Sequence, residues 1–188
     1  MMRPGFTAPV ENAQACFRAV LDAISRPGRV QILTLGLTPP APLDIATAAV
    51  LLTLVDAETP LSHDAGAEAD SWLRFHCGSP MAAVGEAAFV LATGKPPALA
   101  GLPAGSEEEP ERGATLVLQV ASLEAGTGWR LTGPGIEHEH RLNARGMPAG
   151  FISEWAAQRG RFPCGVDIIL CAGDRVAALP RGTRIEEG

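Results

Sequence analysis

Four consecutive residues carry the side chains that most readily suggest chemistry in this chain: Glu137, His138, Glu139 and His140. On an extended strand, His138 and His140 would project from one face, because side chains alternate with a period of two. Two imidazoles and a remote carboxylate can bind zinc. The flanking glutamates favour the other interpretation, an exposed polar stretch that leaves a turn. We predict no metal site here and leave the role of the run open.

Three arginines and two histidines form a second group of candidates. Arg26, Arg181 and Arg184 lie beside proline or glycine at the ends of predicted elements, and the guanidinium fork suits phosphate or carboxylate. His63 and His76 are candidates for acid–base work, although lone histidines are more often structural hydrogen-bonding groups. His76 is the better of the two, because it ends a predicted strand. Arg26, His76, Arg181 and Arg184 are therefore candidate contacts for a small anion or for a partner's acidic side chains.

The sequence matches none of three known catalytic or nucleotide-binding signatures. Thr93-Gly94-Lys95-Pro96 resembles the end of a phosphate-binding loop, but Phe89 replaces the first glycine and Pro96 replaces the magnesium-binding Ser or Thr. The segment from Gly126 lacks the third glycine of a dinucleotide fingerprint and leads into a strand. There is no G-x-S-x-G elbow for a hydrolase serine. The sequence thus predicts no catalytic residue, and it leaves a structural role for the carboxylates Asp56 and Glu58.

Composition limits the partners. The 188 residues are 46% hydrophobic and 19% charged, which is typical of a chain with a real core. The net charge of −6 argues against nucleic acid or an anionic membrane as the main partner. No apolar run approaches the roughly 20 residues of a membrane span, and the first residues do not resemble a signal peptide. Four scattered cysteines without a C-x-x-C pair indicate reduced thiols and a cytoplasmic protein.

Helical and strand patterns alternate along the chain. Amphipathic helices are predicted after residue 13, with Cys16, Phe17, Val20, Leu21 and Ile24 on the buried stripe, and from Pro148, with Phe151, Ile152, Trp155 and Ala156 on one face. Residues 43–55 read as a buried helix, and Ser79-Pro80 as a helix start. The predicted strands are residues 30–35, 72–76, 89–92, 115–120, 129–132, 166–171 and 176–179. Residues 95–112 are predicted to be a long surface loop.

These elements predict a single α/β domain spanning residues 1–188. No internal repeat and no composition break divides the chain. A mixed sheet covered by helices on both faces suits the alternation of strands and helices.

Several phrases, taken in order, resemble one family. They are residues 17–28 (FRAVLDAISRPG), 51–56 (LLTLVD), 73–76 (LRFH), 115–118 (TLVL), 131–136 (LTGPGI), 162–170 (FPCGVDIIL) and 178–184 (ALPRGTR). Each phrase alone is weak, but the ordered set resembles the PhnH family of the bacterial carbon–phosphorus lyase system. The resemblance extends from Phe17 to Arg184. Cys77 and Gly182 depart from it, since the family usually has threonine at both positions.

The resemblance implies a three-layer α/β/α fold similar to the pyridoxal-phosphate-dependent transferases, without the cofactor. Lys95 is the only lysine, and its place before two prolines suits a Schiff base poorly. The resemblance also implies a subunit that dimerises alone and joins PhnG, PhnI and PhnJ. That complex displaces adenine from ATP with an alkylphosphonate, giving a ribose 1-phosphonate 5-triphosphate, and PhnJ then cleaves the carbon–phosphorus bond. The resemblance assigns no catalytic residue to this chain.

Two hypotheses follow. In the first, the chain is an accessory, non-catalytic subunit of a phosphonate-degrading complex and acts through protein–protein contact. In the second, it is a free-standing enzyme or a binder of phosphate or phosphonate that uses His76 and the arginines at strand ends. The sequence expects no cofactor in either case.

Overall fold

The computed structural model describes residues 2–188. Its helices are α1 (Pro9–Ser25), α2 (Ile45–Leu54), α3 (Gly66–Cys77) and α4 (Phe151–Arg159). Its strands are β1 (Gln31–Ile32), β2 (Leu61–His63), β3 (Phe89–Ala92), β4 (Thr115–Gln119), β5 (Ser122–Thr132), β6 (His140–Arg145), β7 (Asp167–Ala172), β8 (Arg175–Leu179) and β9 (Arg184–Glu186). Short 3₁₀ turns occupy Val84–Glu86, Leu99–Gly101 and Pro110–Arg112.

Six strands form a mixed sheet in the order β1-β8-β7-β4-β3-β2. Strands β2, β3, β4 and β7 are parallel, whereas β8 runs antiparallel between β7 and β1. Strand β5 pairs antiparallel with β6 and β9 in a second, three-stranded sheet. The predicted α/β class with a mixed sheet is confirmed.

Strand β4 shows how the large sheet divides the core. Leu116 and Leu118 belong to one buried cluster, together with α4 and the three-stranded sheet. Val117, between them in sequence, belongs to a second cluster with side chains of α1, α2 and α3. Since neighbouring side chains on a strand point to opposite faces, the two clusters lie on opposite faces of the sheet.

Several predicted elements are confirmed. Residues 43–55 contain α2, in which Ala46 to Leu51 are all buried. The predicted strands at 89–92, 115–120, 166–171 and 176–179 correspond to β3, β4, β7 and β8. Of the strand predicted over residues 30–35, only Gln31 and Ile32 pair with a neighbour. Residues 95–112 form a long loop as predicted, although Leu99 and Leu102 anchor it in the core.

The buried stripe predicted for α1 is partly wrong. Cys16, Val20 and Ala23 are buried. The other large apolar side chains of the helix are exposed: Val10 by 70%, Phe17 by 51%, Leu21 by 54% and Ile24 by 39%. The helix lies against α2, β8 and β1. The exposed residues recur at intervals of three, four and seven, so they form a continuous stripe along the helix. We call this the α1 stripe.

Two local predictions are wrong. Residues 72–76 lie within α3, because Trp72 and Leu73 both bury their side chains while Phe75 is exposed, a helical pattern. Ser79 does not start a helix. Its hydroxyl donates a hydrogen bond to the carbonyl of Thr59 (2.6 Å), which holds the chain in an extended segment after α3.

The helix predicted from Pro148 begins at Phe151. Phe151 and Trp155 are buried, Ile152 is half-buried, and Ala156 is exposed. The strand predicted over residues 129–132 is the end of the longer β5, whose register shifts between Ala125 and Trp129. No helix among residues 2–188 has the length and apolar character needed to cross a membrane.

Candidate functional site

Three Gly/Pro turns that are far apart in sequence meet in space. They are residues 133–135, 162–165 and 180–183, and we call them together the three-turn surface. A side-chain carbon placed on Gly182 would lie 3.8 Å from both Cε2 of Phe162 and Cγ of Pro134. One placed on Gly133 would lie 3.1 Å from the carbonyl oxygen of Gly182. All three turns belong to phrases that carry the family resemblance.

Arg181, in the third turn, contacts the second turn through its side chain, because its Nη1 donates to the carbonyl of Pro163 (3.4 Å). Its Nε lies 3.2 and 3.1 Å from the two carboxylate oxygens of Asp167, and its Nη2 lies 2.5 Å from Oδ2. Its backbone N–H also donates to Asp167 (2.7 Å), and its Nη1 donates to the carbonyl of Pro110 (2.5 Å). The guanidinium therefore ties β7, the end of β8 and the loop before β4 together, and its charge is matched by Asp167.

Helix α4 holds the same turns from the core side. The indole Nε1 of Trp155 donates to the carbonyl of Thr183 (2.8 Å). The amide of the buried Gln158 both donates to the carbonyl of Val166 (2.9 Å) and accepts from its N–H (2.8 Å). Because backbone groups are bonded at these points, the turns are held in fixed shapes.

The end of α1 packs against the first turn. Gly135 has φ +82°, and a Cβ at this position would overlap the carbonyl oxygen of Ser25. Only glycine combines this backbone conformation with so close an approach. The Nδ1 of His140 donates to the carbonyl of Pro27 (2.6 Å). The end of the α1 stripe therefore lies next to the three-turn surface.

The four predicted contact residues occupy different surroundings. Arg26 forms an ion pair with Asp22 one helical turn earlier, at the end of α1. Arg181 is bound to Asp167, whereas Arg184 is exposed on β9 and forms no ion pair within residues 2–188. His76, on α3, donates from Nε2 to the carbonyl of Arg3 (3.1 Å). No hydrogen bond or ion pair of the described residues joins any two of the four.

The four side chains of the Glu-His-Glu-His run (residues 137–140) make separate contacts. Glu137 and His138 are exposed and lie 3.8 Å apart, while His140 faces Pro27. Glu139 accepts a hydrogen bond from Nε of Arg130 (2.7 Å), which lowers the pKa of its carboxyl group. Within residues 2–188, no group of three or more His, Cys, Asp or Glu side chains is placed to hold a metal ion.

A chain of polar contacts that the sequence reasoning missed runs along α3. His63 lies 3.2 Å from Oδ1 of Asp70, and Nε of Arg74 donates to Oδ2 of the same carboxylate (2.8 Å). The hydrogen bond from Arg74, and a weaker one from His63, lower the pKa of Asp70. The signal in the sequence is the spacing of Asp70 and Arg74 by four residues, which brings the two side chains together on a helix but not on the strand predicted over residues 72–76.

A cavity of about 450 Å³ opens beside strand β4. Leu116, Leu118 and Phe151 form its apolar walls, and Lys95 and Glu154 lie at its rim. The carboxylate of Glu154 already accepts a hydrogen bond from the backbone of Leu99 (3.1 Å). None of the four predicted contact residues lines this cavity.

The model of a family described as bacterial phosphonate metabolism protein (PhnH) matches residues 4–186. The chain belongs to the PhnH family.

Two curated relatives are similar over most of their length. The alpha-D-ribose 1-methylphosphonate 5-triphosphate synthase subunit PhnH of Rhizobium meliloti (strain 1021) is 36% identical over 187 residues, covering 96% of this chain and 94% of that protein. A protein of Stutzerimonas stutzeri named "Putative C-P lyase subunit protein HtxG" is 41% identical over 172 residues, covering 92% and 85%.

Proposed function

We propose that this chain is an accessory, non-catalytic subunit of a carbon–phosphorus lyase core complex that breaks down organic phosphonates. Its role is to support formation of a ribose 1-alkylphosphonate 5-triphosphate from ATP and an alkylphosphonate. Membership of the PhnH family and the subunit names of both relatives support this function. We also propose a single domain, a cytoplasmic location, and PhnG, PhnI and PhnJ as partners.

The α1 stripe is the observation that carries the proposal. A chain that worked alone would gain by burying Phe17, Leu21 and Ile24, yet they are exposed by 51, 54 and 39%. Contiguous exposed apolar surface marks sites of protein–protein contact. We propose that the stripe is covered in the assembly, either by another subunit or by a second copy of the chain in an isolated homodimer.

The fold supports a finer comparison. Helices α1 to α3 pack on one face of the large sheet, and α4 with the three-stranded sheet packs on the other. We propose that this is a three-layer arrangement similar to that of the pyridoxal-phosphate-dependent transferases, without the cofactor. The only lysine, Lys95, is exposed at the rim of a cavity, in the segment that follows β3.

Co-expression with the other core subunits tests the function. Size-exclusion chromatography with light scattering should show the wild-type chain within the assembly. A Phe17→Ser, Leu21→Ser double variant should be absent from the assembly. It should still fold, since both side chains are already exposed. Ile32→Ser is the matched control, because Ile32 is 58% exposed on β1 and lies outside the stripe. A wild-type chain that stays alone would contradict the proposal.

The alternative is a small phosphate- or phosphonate-binding protein that uses His76 and the arginines Arg26, Arg181 and Arg184. The exposed, unpaired guanidinium of Arg184 is the feature in its favour. Calorimetric titration of the isolated chain with ATP and with methylphosphonate separates the two functions. Binding of either ligand that is lost in Arg184→Gln supports the alternative, and no heat of binding removes it.

A further inference from the structure

The three-turn surface presents one large apolar side chain to solvent. Phe162 is 66% exposed, although the turns around it are held by Arg181, Trp155 and Gln158. An aromatic ring on a rigid base loses little conformational freedom when it is covered, because only its own two torsions need to be fixed. Aromatic side chains of this kind are frequent anchors of protein interfaces.

Two arginines without an ion pair among the described residues lie next to the three turns. Arg159 contacts the carbonyl of Gly182 through Nε, at the long distance of 3.5 Å, and Arg184 directly follows the third turn. Neither forms an ion pair within residues 2–188, whereas Arg181 between them is neutralised by Asp167. The chain as a whole carries a net charge of −6. The turns therefore carry two unpaired guanidinium groups on a molecule of negative net charge, and these favour a partner surface with carboxylates.

The shape of the region favours a protein over a small ligand. Small-molecule sites are concave. Of five cavities in the described residues, none is lined by a residue of the three turns. Each turn also contains a proline (Pro134, Pro163 or Pro180), which has no backbone N–H to offer an anion.

We propose that the three-turn surface is a docking site for an acidic face of another subunit of the same complex. Phe162 inserts into an apolar depression of that partner, and Arg159 and Arg184 pair with carboxylates around it. The proposal rests on the proposed function, since it supposes that the chain works within an assembly. It adds the place of contact, the anchor and the sign of the partner's charge.

The test uses the full chain and the co-expressed remainder of the carbon–phosphorus lyase complex as the probe. Binding is measured by biolayer interferometry for the wild type, Phe162→Ala and Arg184→Glu. Phe75→Ala and Arg175→Glu are matched controls, because Phe75 is 69% exposed and Arg175 is exposed and unpaired, each on a different element. Thermal unfolding of every variant is recorded beside its binding.

We expect Phe162→Ala and Arg184→Glu each to weaken binding at least about tenfold, with the controls unchanged. Binding by the wild type should also fall as NaCl rises, and less steeply in Arg184→Glu. If the wild type does not bind at all, the proposed function fails together with this surface. If the wild type binds and both variants match it, only the docking site is wrong. Binding of ATP or tripolyphosphate to the isolated chain that Arg184→Glu abolishes would also overturn it, in favour of a small anion.

Discussion

Arg181 holds Asp167 through three hydrogen bonds from its own side chain and backbone, all of 3.2 Å or less, and a fourth from Nη2 at 2.5 Å. The pair joins the beginning of β7 to the turn after β8, two segments that each carry part of the family resemblance. The guanidinium of Arg181, one of the predicted contacts for an anion or a partner, is thus engaged within the fold.

Replacing Arg181 by lysine should lower the free energy of unfolding by about 1.5–3 kcal/mol, because hydrogen bonds to charged groups are lost and an ammonium cannot reproduce the fork. Urea unfolding measures the change. Arg184→Lys is the control and should stay within about 0.5 kcal/mol of the wild type, since its side chain is exposed. Equal effects of the two substitutions would contradict the structural role of Arg181.

Gly135→Ala should destabilise the chain more than Gly126→Ala. Both glycines have similar positive φ angles, +82° and +87°, so both variants incur the left-handed backbone cost of about 1–2 kcal/mol. Only at position 135 would the new Cβ overlap the carbonyl of Ser25, while position 126 has nothing within 4 Å. The overlap should add at least about 1 kcal/mol, measured by urea unfolding. If the two variants prove equally stable, α1 does not rest on this turn.

Asp70→Asn should reduce stability at neutral pH and have little effect in acid. The pKa of Asp70 is lowered in the folded chain, first by the hydrogen bond from Arg74 and then by that from His63. The carboxylate therefore stabilises the fold above its unfolded pKa of about 3.9, and this contribution is lost as the pH falls through the lower folded pKa.

The expected loss for Asp70→Asn is about 0.5–1.5 kcal/mol at pH 7, and it decreases as the pH falls through the lowered pKa of Asp70. Urea unfolding at several pH values measures it. Glu107→Gln, on an exposed loop, supplies the control and should show no such dependence. A loss for Asp70→Asn that is constant with pH would show that packing, and not charge, explains the effect.

Cys164 should be the first thiol to react with Ellman's reagent. Burial raises the pKa of Cys77 to about 11 and raises those of Cys16 and Cys171. These three thiols are thus poor in thiolate at neutral pH. Cys164 lies half-exposed within the three-turn surface. The fast phase should vanish in Cys164→Ser, and a fast phase that persists there would assign the reactivity to another cysteine.

The central strands could be predicted because their sequences leave little choice. Runs such as Thr115-Leu116-Val117-Leu118 are apolar and β-branched, and they are buried on both faces as that composition requires. Residues 72–76 could not be predicted, since alternation and helical spacing coincide over five residues. Only the burial of both Trp72 and its neighbour Leu73 in the structure distinguishes a helix from a strand here.

The candidate site was harder to predict from the sequence than the central strands. The phrases around Pro134, Phe162 and Gly182 were recognisable, but no local pattern states that they touch, because their contact depends on the pairing of β5 with β9 and of β7 with β8. The exposure of the α1 stripe was equally hidden. An amphipathic pattern shows which residues are apolar, and it does not show how much of that face the rest of the chain covers.

The edges of the large sheet have a consequence for how this chain meets other molecules. Strand β1 has two residues and β2 has three, and the bonds of Leu61 with Pro80 and Ala82 occupy part of the outer side of β2. Of the nine large apolar side chains exposed in residues 2–188, Ile32 alone lies on a strand. Short edges offer little template for strand addition or for aggregation. The exposed apolar side chains instead lie mostly on helices and turns. A subunit built in this way can avoid aggregation before assembly and still present these side chains to a neighbouring subunit.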